Sequence, residues 1–207
     1  MTTQDINSGT DVDSLAAMIA RASEQKGDGT RKAAPVDRWN PDFCGDLDME
    51  IKTDGTWFYM GTPIGRMPLV QLFASVLRKD EDGKTYLVTP VEKVGIRVAD
   101  AHFLAVEMAV SEKGGEQVIS VRTNLGDVVE IGKDHPLRFS LEGEEKRLKP
   151  YVHIRGRLEA LVTRAVMYDL VALGEVVEVD GTDMFVICSG GERFPVMPAA
   201  ELEMLAQ

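Results

Sequence analysis

The side chains able to do chemistry in this chain are few and scattered. Its three histidines, His102, His135 and His153, stand alone. None lies three or four residues from another metal-ligating side chain, so no metal site is expected, and only a composite of distant segments could build one. The two cysteines, Cys44 and Cys188, form neither a CxxC pair nor a disulfide framework, and are expected to be reduced and partly buried. No GxSxG elbow, Walker A loop or GxGxxG fingerprint occurs. Asp46, Asp48 and Glu50, with Asp54 close by, alternate along a predicted strand. Carboxylates sharing one face can hold a divalent cation, or can line the solvated side of an edge strand.

Gly61-Thr62-Pro63-Ile64-Gly65-Arg66 opens a predicted helix. Its backbone N–H groups could face an anion, and the Arg66 fork could grip phosphate or carboxylate; a plain strand-to-helix turn is the alternative. Trp39, Trp57, Phe58 and Tyr59 concentrate the aromatics. Trp57 and Tyr59 project one way and Phe58 the other, so one face packs and the other is a candidate stacking wall or partner hot spot. Glu92 and Lys93 sit in a turn between strands, where they hold a polar ligand or form an exposed pair. His153 and Arg155 share a strand face just ahead of Arg157. With Arg66 and Arg97 they are the candidate positive pocket of an acidic chain.

The elements that must position these groups follow from periodicity. Leu15, Met18, Ile19 and Ala22 draw one helical stripe behind a cap at Asp13 or Ser14, and Glu24–Pro35 reads as a linker with nothing large to bury. The helix either docks on the body or serves as an interaction arm. Asp54-Gly55 marks a hairpin between Met49–Lys52 and Trp57–Met60. Helices are expected from Arg66 to Asp80 and from Arg157 to Leu173. Strands are expected at Thr85–Thr89, Val91–Val98, Phe103–Val110, Gln117–Thr123, Asp127–Ile131, Leu137–Leu141 and Tyr151–Ile154. A hairpin over Glu175–Cys188 turns at Asp180-Gly181, a strand covers Arg193–Val196, and a short helix closes the chain at Ala199–Leu205. Gly65-Arg66 and Gly156-Arg157 open the two long helices in matching contexts, which suggests a duplication. The expected organisation is an N-terminal helix and linker (1–35), a first α+β repeat (36–112) and a second (113–207).

Composition narrows the class. The chain has 207 residues, a 44% hydrophobic share and a formal net charge of −11. Its acidity repels phosphate backbones, so neither a general nucleic-acid partner nor an anionic membrane is expected. No apolar run is long enough to span a bilayer, no secretory signal is visible, and cysteine is scarce, which together point to the cytoplasm.

Several pieces resemble a known family: Trp39-Asn40-Pro41, Cys44-Gly45-Asp46, Asp54-Gly55-Thr56-Trp57-Phe58, Gly61 to Arg66, Leu72 to Leu77, Leu87 to Lys93, and a later block from His153 to Val171. The chain is similar to the bacterial domain-of-unknown-function family 1285 over about residues 36–198. The resemblance implies a two-repeat α+β fold whose C-terminal half is distantly like a pleckstrin-homology barrel. It also implies a role in signalling and a site between the repeats. It supplies no catalytic residues.

The expected function is a non-enzymatic regulatory module without a cofactor that binds a small anionic or nucleotide-like ligand between the repeats. Trp57, Arg66, Glu92, Lys93, Arg97, His153, Arg155 and Arg157 are its candidate contacts. The alternatives are an adaptor that binds a protein through a strand edge or the N-terminal helix, and an enzyme with a composite site. Oligomeric state is left open.

Overall fold

The computed structural model describes residues 34–143 and 147–205, with Ala17 ahead of them. The expected N-terminal helix, Ala17 apart, and most of the linker lie outside the described residues. The chain divides into two compact units, one ending at Glu50 and resuming over Thr56–Arg97, the other comprising Ile51–Gly55 and everything from Val98. The expected repeat boundary at 112/113 falls inside a single strand, Phe103–Lys113.

The first unit holds a sheet of β1 (Phe43–Ile51), β2 (Trp57–Tyr59), β3 (Thr62–Pro63), β4 (Leu77–Lys79), β5 (Thr85–Val88) and β6 (Lys93–Val98), in the order 3-2-1-6-5-4. Helix α1 (Met67–Ser75) joins β3 to β4. β1 and β6 run in the same direction, as three contacts with rising numbers show. A Cβ at Gly95 would overlap the Asp46 carboxylate, Arg97 reaches Asp48 at 2.6 Å, and the Ala99 N–H donates to the Ile51 carbonyl at 2.9 Å. Glycine at position 95 is therefore what lets Asp46 lie across β6. Alternation divides the sheet cleanly: Met49 is buried while Asp48 is exposed. On the apolar side α1 buries Leu69, Val70, Phe73 and Ala74, and Phe73 stacks on Trp57 with centroids 6.3 Å apart.

The second unit repeats the arrangement. Strands β7 (Phe103–Lys113), β8 (Glu116–Thr123), β9 (Val128–Glu130), β10 (Leu137–Glu142), β11 (Arg147–Arg155) and β12 (Leu158–Val162) form a sheet whose first and sixth strands again pair in parallel. Renumbered from its own first strand, its order is also 3-2-1-6-5-4. Duplication is thus visible in strand order rather than in the helix starts. Gly156-Arg157 opens no helix: it is the two-residue turn between Arg155 and Leu158, with Gly156 at φ 54°. Helix α2 (Arg164–Val171) starts later, behind Thr163, and no helix stands between β9 and β10.

Both expected long helices are therefore shorter, and the chain is mostly β rather than α+β. The segment Leu158–Val162 alternates buried and half-buried, and this period of two competes with the helical reading of the same letters. Likewise Leu77–Lys79 leaves the expected helix to pair with Thr85–Leu87 across the Asp82-Gly83 turn. Ladder hydrogen bonds made by the neighbouring strand override local propensity.

A third sheet of β13 (Glu175–Val179), β14 (Thr182–Ser189) and β15 (Glu192–Pro198) follows, with α3 (Ala199–Leu205) packed on β14 and β15. Ser189 joins this sheet to the second. Ile131 N–H donates to the Ile119 carbonyl at 2.8 Å, but the reciprocal bond is absent. Instead the Ser189 hydroxyl accepts from Ile119 N–H at 2.9 Å and donates to the Ile131 carbonyl at 2.7 Å, fully buried. Where β9 ends, β14 takes over the outer side of β8: Gly190 N–H donates to the Gln117 carbonyl, and Gln117 Nε2 donates to the Cys188 carbonyl.

Ser189→Ala strands one buried N–H and one buried C=O. The expected loss is about 1–3 kcal/mol of stability, measured by urea unfolding, together with faster hydrogen exchange at the Ile119 amide.

Candidate functional site

Each six-stranded sheet has a polar face, and both faces are built on the same pair. Arg78 on β4 lies opposite Tyr86 on β5, and Arg138 on β10 lies opposite Tyr151 on β11. The four strands are equivalent in the repeated order. This arginine–tyrosine pair is the residue-level echo that the Gly-Arg dipeptides are not.

In the first unit the Tyr86 hydroxyl donates to Asp82 at 2.6 Å, and that bond pushes the phenol up to about 12. Arg78 forks onto Asp80 at 2.6 and 3.1 Å and also donates to the carbonyls of Val36 and Trp39. Lys93 reaches Asp80 at 3.4 Å and lies 4.7 Å from the centre of the Tyr86 ring. Burial pushes the Asp80 carboxyl up, but Arg78 and Lys93 outweigh it and hold the group below its ordinary value.

In the second unit Tyr151 is buried, and its hydroxyl donates to Asp100 at 2.7 Å. Burial first, and then that bond, push it up to about 12. Lys149 donates to Asp100 at 2.6 Å and pairs with Glu142, and these bonds raise it above its ordinary value. Arg138 grips Glu159 with two bonds of 2.5 and 2.6 Å and covers the Tyr151 ring at 4.1 Å. Asp100 is pushed up by burial and pulled further down by Lys149 and Tyr151. At neutral pH both phenols stay protonated donors, Lys149 stays charged, and the aspartates stay ionised. None is poised to accept or release a proton. The Cys188 thiol is also pushed up, by burial and then by its bond to Glu175 at 3.1 Å.

The candidate contacts named from the sequence fall into these networks or near them. Trp57 is a core residue, 1% exposed, and its Nε1 finds no hydrogen-bond partner among the described residues. Arg66 is exposed at the start of α1. Glu92 closes a turn in which its N–H donates to Thr89 Oγ1 at 3.0 Å. Arg97 is committed to the acidic row, 2.6 Å from Asp48 and 3.8 Å from Glu50. That row is as predicted: Asp46, Asp48 and Glu50 share the polar side of β1. Arg155 pairs with Asp127 at 3.2 Å over the Phe103 ring, and burial lowers its affinity for the proton. His153 faces two carbonyls, with Nδ1 3.1 Å from Asp134 O and Nε2 2.8 Å from Gly156 O, and stacks on His135 at 5.7 Å. Arg157 is exposed in the hairpin turn. Cys44 is exposed rather than partly buried. Among the described residues no three His, Cys, Asp or Glu side chains gather into a metal site.

Sequence reasoning missed Tyr86, Asp100, Arg138, Lys149, Tyr151 and Glu159. The signal was present on β11, where Lys149, Tyr151, His153 and Arg155 alternate. Starting that strand at Tyr151 left Lys149 outside it.

The Asp100 network has a pH signature. Asp100 is depressed, so its stabilisation is present above the unfolded carboxylate value of about 3.9 and is lost as pH falls through its lower folded value. Lys149 is raised, so its share is present below about 10.4 and is lost as pH rises through its higher folded value. Asp100→Asn should cost about 1–3 kcal/mol at neutral pH, with the deficit shrinking on acidification into the carboxylate range. Urea unfolding across pH measures it. In the same variant the tyrosinate absorbance of Tyr151 should appear at lower pH.

Comparison with known proteins fits this layout. Residues 34–101 match the N-terminal domain of DUF1285, a domain of unknown function, and residues 102–196 match the C-terminal domain of the same family. The chain is similar to a DUF1285 family protein from Silicibacter pomeroyi DSS-3, with 42% identity, 95% of this chain and 100% of that chain covered, and a TM-score of 0.81. A DUF1285 family protein from Shewanella baltica OS155 is 27% identical, with 61% of this chain and 91% of that chain covered, at a TM-score of 0.48. No curated protein matches the chain. The two matched domains meet within a few residues of the division between the compact units, and each contains one six-stranded sheet. The chain belongs to the DUF1285 family.

Proposed function

We propose that this protein is a non-catalytic regulatory module that binds a protein partner by strand addition at the outer edge of β13. One observation carries the reading. Among the described residues β13 pairs only with β14, it spans five residues, and three of them are valines, with Val176 55% exposed. An unpaired edge rich in β-branched residues is a template for another strand.

The turn geometry says which backbone groups are on offer. Asp180 and Gly181 both have positive φ, 51° and 79°, and Val179 lies opposite Thr182. In such a two-residue hairpin the flanking residues form a hydrogen-bonded pair, and such pairs recur at every second residue. Val179, Val177 and Glu175 therefore face β14 with their backbone groups, while Val176 and Glu178 face outward.

The network electrostatics support a module without chemistry, since Tyr86, Tyr151 and Lys149 are pushed up and Asp80, Asp82 and Asp100 are held down. They also weigh against the small anionic ligand. Lys93, Arg97 and Arg155 already face Asp80, Asp48 with Glu50, and Asp127 respectively, so much of the positive potential expected of them is neutralised at short range. The signalling role, the cytoplasmic location and the likeness of the second unit to a pleckstrin-homology barrel belong to the same proposal. No helix among the described residues is long and apolar enough to cross a membrane.

Val176→Pro removes an outward N–H without touching the inner ladder. Its unfolding midpoint should stay close to that of the wild type, while the partners retained in affinity purification from the native cell are lost. Arg66→Ala should leave them in place. Retention by Val176→Pro would remove the edge from the account.

A further inference from the structure

The charge around β13 identifies the class of strand it would take. No lysine or arginine lies between Arg164 and Arg193, whereas the intervening segment carries Asp169, Glu175, Glu178, Asp180, Asp183 and Glu192. Two of these acids are in register: Glu178 on β13 lies directly opposite Asp183 on β14, and both are exposed. Like charges directly opposite in an antiparallel pair are destabilising. Neither carboxylate meets a cation among the described residues, whereas Asp48, Glu50, Glu107, Glu130, Glu142 and Glu159 on other strands each face an arginine or lysine. The repulsion between Glu178 and Asp183 thus has no compensating cation among the described residues.

Resting on the reading that β13 is a docking edge, we propose that its occupant is an extended basic segment of a partner protein, with a lysine or arginine beside Glu178 and an apolar residue beside Val176. The spacing follows from the strand period. Val176 and Glu178 are two residues apart, so they project on the same face as Phe185 and Asp183, their partners across the ladder. A strand added at the edge places its own alternate side chains on that face. The one next to Glu178 sits beside that carboxylate, with Asp183 one strand further in, and the one two positions away covers Val176. A second copy of β13 fits poorly, because it would bring further acids to the same place.

The test uses the full chain and short labelled peptides in which threonine alternates with valine, lysine and valine. A matched peptide carries glutamate in place of the lysine, and another carries proline at alternate positions so that it cannot add as a strand. Fluorescence anisotropy at low salt should show binding of the lysine peptide at least about tenfold tighter than the glutamate peptide, a factor within the range measured for close interfacial charge pairs. Binding should be lost with the proline peptide and with Val176→Pro. Glu178→Lys should reverse the preference, and its thermal melt shows whether the variant is folded. If lysine and glutamate peptides bind alike, and Val176→Pro abolishes both, the edge stands and the basic class falls. If the lysine peptide binds Val176→Pro as well as wild type, or no peptide binds, docking at this edge is overturned together with the inference.

Discussion

An open β-sheet must dispose of two outer rows of backbone N–H and C=O groups, and that constraint organises most of this chain. In the first sheet β3 is two residues long and ends in proline, which leaves little edge to expose. β4 at the other side lies beside the turn Val36–Arg38, held there by the Arg78 guanidinium on two carbonyls. In the second sheet β9 is three residues long, and β14 takes its place on β8 through the Ser189 hydroxyl. β10 lies alongside β15. β13 is the exception: a longer edge whose protection consists of glutamates alone.

The charges obey a second economy. On an acidic chain, most cations that reach a strand are held by a carboxylate of the same unit. The arginine–tyrosine pairs on both polar faces show how this works. Each guanidinium is engaged by a carboxylate, and each phenol donates to an aspartate that raises it. The arrangement favours a fixed polar surface over a reactive one. A charge-assisted network of this kind is strong because every member has a partner.

Much of the fold was legible in the letters. Strand positions, the Asp54-Gly55 and Asp180-Gly181 turns and the polar row of β1 follow from period two and turn chemistry. What was not legible were the places where two periods fit the same residues. Leu158, Leu161 and Val162 satisfy a helical stripe, yet Leu158, Ala160 and Val162 satisfy a strand, and only the neighbouring strands β7 and β11 decide between them. The duplication was sensed from Gly65-Arg66 and Gly156-Arg157, which play different roles. Its true carriers, Arg78 with Tyr86 and Arg138 with Tyr151, are cross-strand pairs, and register is a tertiary property that a single sequence does not print. The candidate site was half read: His153 and Arg155 were placed on one face, but the carboxylates that claim Lys93, Arg97 and Arg155 come from other strands.

The account stands on the outward-facing backbone of β13. Residue-resolved hydrogen exchange of the full chain, with and without a saturating basic strand-forming peptide, reads it directly. Slowed exchange is expected at the Val176 and Glu178 amides, with Val177 and Val179 unchanged because their N–H groups are already bonded to β14. Uniform protection along β13, or protection confined to other strands while Val176 and Glu178 exchange as before, would contradict it.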